Sequence, residues 1–151
     1  MPADVVRFSL ERPQGYRGQE SIVEILKSLF FCVLSGTNAP PNQRVEFVRK
    51  LLESGDAERE QLGLLTLDAA LEAEHFTSVS RFDFGARKRS EGWAPVSRSD
   101  VEAWFMPFIR MALDIGKQES DLAESCRSIL GGRLRGLWVG TNLRPEVCAA
   151  V

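Results

Sequence analysis

The chain has a single histidine, His75, and that scarcity removes several chemistries at once. One imidazole leaves little choice of general base for a serine or cysteine nucleophile, and no Gly-x-Ser-x-Gly elbow is present. Glu72 and His75 stand in Glu-x-x-His spacing. A di-iron bundle needs a second such pair and further glutamates, so that site cannot be built. His75 reads instead as a residue at a helix C-terminus, favourable to the dipole when protonated. Nothing in the sequence brings Cys126 or Cys148 to His75. No cofactor or metal site is expected, and the chain reads as a non-enzyme.

Cysteine is sparse too. Cys32, Cys126 and Cys148 are far apart and form no Cys-x-x-Cys pair, a pattern that does not read as a disulfide framework or a zinc site. Reduced thiols packed in helices, in a cytoplasmic protein, are the expectation. Long apolar runs are missing as well: the longest, Leu29 to Leu34, cannot cross a membrane. The N-terminus has Asp4 where a secretory signal would carry cations, and lacks an apolar segment. A net charge of −2 gives no global attraction for nucleic acid or anionic lipid, so any anion site must be local. What is present suits one globular domain: 151 residues, of which 44% are hydrophobic and 26% charged.

The pattern along the chain is helical. Residues 1–18 read as an arm, extended or briefly helical, in which Val6, Phe8 and Leu10 alternate before Arg12-Pro13. From Gln19, Ile22, Ile25, Leu26, Leu29, Phe30 and Val33 follow three-and-four spacing, and Gly36 supplies a stop. Pro40-Pro41 pre-sets a second helix start, whose apolar face is Val45, Val48, Leu51 and Leu52, with Arg44, Glu46, Arg49 and Lys50 mostly elsewhere. Asp56 is placed to cap a third helix reaching Phe76, apolar on nearly all sides through Leu62, Leu64, Leu65, Leu67, Ala69 and Leu71. A helix of that kind needs neighbours on both faces.

Two further helices follow. Ser99-Asp100-Val101-Glu102 has the form of a capping box, and a stripe from Val101 to Leu113 contains Pro107, which should kink it. The last helix begins near Ser120, with Gly131-Gly132 expected to break it or mark close packing. Gly131 to Gly136 superficially resembles a phosphate loop but lacks Gly-Lys-Ser/Thr. The expectation is an all-α domain over 19–138, about five helices stacked as an α-solenoid-like superhelix, with a tail over 139–151.

The run EREQLGLLTLDAALEAEHF, followed by FDFGARKRSEGWAP, resembles the HEAT- or TPR-like helical region of large bacterial multidomain signalling proteins, many of which resemble P-loop NTPases with helical sensor arms. The resemblance implies a scaffold or sensor arm, with catalysis elsewhere in a longer polypeptide. No nucleotide-binding motif is present here, which puts NTPase activity out of reach of this chain.

Between the third and fourth helices lies a long aromatic and basic loop. Arg81, Arg87, Lys88, Arg89 and Arg98 face only Asp83 and Glu91 over that stretch, a local charge of +3. Phe82, Phe84 and Trp93 are interleaved, and such a pattern can stack bases and pair phosphates. The plainer alternative is that the aromatics anchor the loop while the cations meet nearby carboxylates. Arg127, Arg133, Arg135 and Arg144 form a second cationic stretch that could extend a basic surface. Acidic pairs such as Glu72 with Glu74 read as solvated helix surface. The residues to watch are Arg81, Arg87, Lys88, Arg89, Trp93 and Arg98, in a helical module that binds a protein partner or, alternatively, nucleic acid or a nucleotide.

Overall fold

A computed structural model describes residues 22–33, 35–73 and 92–141, with 144, 145 and 148. Among these residues the fold is all-α, with five helices: α1 Ile22–Ser28, α2 Pro41–Leu52, α3 Ala57–Ala70, α4 Arg98–Gly116 and α5 Asp121–Gly140. The expected arm over 1–18 lies outside the described residues. The helix α5 crosses the expected boundary at 138.

Each helix start has a local cause. Pro41 occupies the first turn of α2, where its missing N–H costs nothing. The Asp56 carboxylate accepts from the Arg59 amide at 2.9 Å and caps α3. The Ser120 hydroxyl accepts from the Ala123 amide at 3.1 Å at the start of α5. In α4 the capping box lies two residues earlier than the sequence pattern suggested. Ser97 is the cap, and Asp100 reaches back to the amides of Val96 and Ser97 at 3.1 and 3.0 Å. Aspartate serves here where glutamate is usual.

The helix α3 touches all four others, as its two-sided apolar pattern requires. It forms an antiparallel hairpin with α2, in which Gly63 lets Leu51 and Leu52 come close; a Cβ there would lie 2.8 Å from Leu52 Cδ2. The second hairpin, α4 with α5, lies against the first through α2–α4 and α3–α5 contacts. Trp104, Phe108, Leu67, Leu71, Ile109 and Leu137 are fully buried between them.

Three expectations are corrected. The first helix stops at Ser28 rather than running on to Gly36, because the carbonyls of Leu29 and Phe31 turn to Arg44 instead of continuing the helix. Gly131-Gly132 neither break α5 nor pack closely: the helix runs through them, both are exposed, and an added Cβ would meet nothing within 4 Å. Arg44 is not on the solvated face of α2. It is 3% exposed.

Candidate functional site

Arg44 is in register with Val48 and Leu52 on the buried stripe of α2. Its guanidinium donates to the carbonyls of Ala39 at 3.0 Å, Leu29 at 3.0 Å, Phe31 at 3.2 Å and Thr37 at 3.0 Å, and to the Ser35 hydroxyl at 3.1 Å. These partners lie outside the helices at 29–31 and 35–39, so one side chain supplies their missing donors. No carboxylate is among them, and burial pushes the Arg44 pKa down, with the neighbouring Cys32 opposing. The guanidinium carbon also lies 4.9 Å from the Trp104 ring centre.

That node seats the segment Gly92–Trp93, which leads into α4. The Trp93 ring stacks on Trp104 with centroids 5.3 Å apart and planes 18° from parallel. The Trp93 amide donates to Thr37 O at 2.8 Å, on the carbonyl that Arg44 also holds. Beside it, Gly92 has φ +91°, and a Cβ there would lie 2.7 Å from the Thr37 backbone N and O. Only glycine fits that approach. Trp93 is therefore a packed anchor, half-buried against the core. Arg98 is exposed in the first turn of α4. Arg81, Arg87, Lys88 and Arg89 lie outside the described residues, as do Phe82, Phe84 and His75.

The second arginine stretch separates into different roles. Arg127 donates to Gly116 O at 2.6 Å and closes the C-terminus of α4. Arg133 forks onto both Asp68 oxygens, at 2.7 and 2.8 Å, and pairs with Glu72. The Asp68 hydrogen bond, ahead of the charges of Asp68 and Glu72, holds the Arg133 pKa above its usual value. Glu72 is thus half-buried in a tie between α3 and α5, not a solvated carboxylate. Arg144 lies 5.8 Å from the Trp138 ring centre. Arg135 remains exposed on α5.

Among the described residues, α5 exposes three large apolar side chains. Leu134 and Trp138, one turn apart, are 39% and 38% exposed, and Val139 is 62% exposed. Gly131, Gly132 and Arg135 complete the outer face of α5. Large apolar side chains rimmed by polar groups mark contact surfaces more often than accidents.

Thiol chemistry is muted. Cys32 and Cys126 are buried, and desolvation raises both; Cys32 is pushed up to about 12 despite the nearby Arg44 charge. Among the described residues no group of three or more potential metal ligands comes together. No helix there is long and apolar enough to cross a membrane. No protein family, curated protein or solved structure matches the chain.

Proposed function

We propose that the chain is a non-catalytic helical interaction module that docks a protein partner on the outer face of α5. The observation that carries this reading is the exposure of Leu134, Trp138 and Val139 on a helix that packs into the core through Ala123, Cys126, Leu130 and Leu137. Burying them on association would recover roughly 25 cal/mol per Å² of apolar surface. Aromatic residues at the centre of a contact commonly dominate its energy. The commitment of Arg127 and Arg133 to internal bonds weighs against a continuous basic surface for nucleic acid. Two buried free thiols, Cys32 and Cys126, suit a reducing compartment such as the cytoplasm. Two stacked hairpins would also suit a scaffold arm of the HEAT or TPR kind.

The test replaces Leu134 and Trp138 with serine in the full chain, with unfolding curves as the control for fold. Chemical cross-linking in cells producing the tagged chain should yield protein adducts with the parent and lose them with the variant. Adducts that persist unchanged in the folded variant would place docking elsewhere.

A further inference from the structure

The exposed face of α5 carries an internal symmetry of charge. Glu124, Ser128, Gly131, Arg135 and Trp138 follow a 4-3-4-3 spacing, which sets them along one line of the helix. All but the half-exposed Trp138 stand well out in solvent, and α5 is 20 residues long, so the line runs most of its length. Among the described residues neither Glu124 nor Arg135 forms an ion pair, although Arg133 on the opposite side of the helix forms two. Between them lie only Ser128 and Gly131, and a Cβ on Gly131 would find open space.

An antiparallel second helix meets this line in one favourable register. The two-fold axis that sets Ser128 opposite Gly131 of a second copy also sets Glu124 opposite Arg135 of that copy, and does so twice. The small pair at the crossing lets the two backbones approach, and an ion pair closes each side. Trp138 then falls beyond each pair, over the first turn of the opposing helix. A parallel arrangement would instead set Glu124 against Glu124 and Arg135 against Arg135, which repels. The line is therefore self-complementary in one orientation and self-repelling in the other.

We infer that the partner docked on the outer face of α5 is a second copy of this chain, paired antiparallel through Glu124 and Arg135 about Ser128 and Gly131. This rests on the reading of that face as a docking surface, and names its occupant. The Glu124–Arg135 pairs set orientation, while Trp138, Leu134 and Val139 supply apolar area. Because charge pairs set the orientation, the pairing is salt-sensitive.

Sedimentation equilibrium of the full chain tests it with two variants, Glu124→Arg and Arg135→Glu. Both changes are on the exposed surface, and circular dichroism checks that each variant is folded. The parent should show a concentration-dependent monomer–dimer equilibrium. Each variant alone sets like charges against each other twice, and its dissociation constant should rise roughly tenfold or more. An equimolar mixture of the two variants restores two opposite pairs, and a heterodimer should form with near-parental affinity. A parent that stays monomeric up to roughly 500 µM, a range that covers weak micromolar contacts, would overturn the inference. So would variants that dimerise as well alone as mixed. If cross-linking through α5 captures only a different protein, the self-pairing falls while the docking reading stands.

Discussion

The guanidinium of Arg44 lies over the Trp104 ring, 4.9 Å from its centre, and Trp104 in turn donates its indole N–H to Ala70 O at 2.9 Å. Arg44 holds the segments 29–31 and 35–39 by four carbonyls and a hydroxyl. Trp104 holds the end of α3. Through this pair the first hairpin, the second hairpin and the incoming loop at Trp93 share one buried junction.

Arg44→Ala should therefore destabilise the fold by about 3–5 kcal/mol, since several buried carbonyls lose their donor together. Arg44→Lys should recover little, because three donors on a point charge cannot reproduce the planar fork. Urea unfolding of the three proteins measures both. A lysine variant as stable as the parent would mean that charge alone, not the fork, organises those segments.

At the loop anchor, Gly92→Ala should cost about 2 kcal/mol or more, combining a positive φ with contact against the Thr37 backbone. Trp93→Ala should cost about 2–4 kcal/mol through the lost stack on Trp104 and its packing. Thermal or urea unfolding reads both. Neutral effects at both positions would show that the loop end is not docked as described.

Gly131→Ala and Gly132→Ala should each stabilise the dilute protein by about 0.5–1 kcal/mol, because both glycines lie mid-helix with open space around them. Only Gly131 lies on the Ser128 crossing line. Its substitution should weaken self-association in the same protein that it stabilises, and comparing dilute unfolding with sedimentation separates the two effects.

Acid sensitivity has a specific contributor at the start of α4. Hydrogen bonding with the Ser97 side chain, then with the Val96 and Ser97 amides, lowers the Asp100 pKa below its ordinary 3.8. A depressed folded value means that this stabilisation is full above the unfolded value and is lost as pH falls through the folded one. Asp114 shifts the same way, through its hydrogen bond with Lys117 first. Asp100→Asn should flatten part of the acid limb of the stability–pH curve below about pH 4, with the Asp114 part left. An unchanged limb would remove Asp100 from that role.

Much of the architecture was legible from local signals. Asp56, Pro41 and Ser120 fixed helix starts because capping is decided within three residues of the chain. The spread of apolar residues around α3 foretold its central place. Less legible was anything that depends on a distant partner. Arg44 sits in step with Val48 and Leu52, so spacing alone put it on the buried stripe. Its charge suggested solvent, because the carbonyls that satisfy it come from a segment that helical periodicity had assigned to α1. Likewise Glu72 looked solvated until Arg133, 61 residues further on, met it. Gly131-Gly132 suggested a break because glycine propensity is local, whereas packing along the buried side of α5 carries the helix through. Of the site residues read from sequence, Trp93 proves a packed anchor. The exposed α5 line is not legible in the sequence because its members are polar, small and apolar in turn, with no single chemical signature.

Site-specific photo-cross-linking tests the central claim most directly. A photoreactive residue replaces Val139 on the outer face of α5, with a matched one at Gln61, exposed on α3, as the comparison. Irradiation of cells producing the chain should give protein adducts at 139 and few at 61. Adducts absent at 139, or equal at both positions, would contradict α5 as the docking surface.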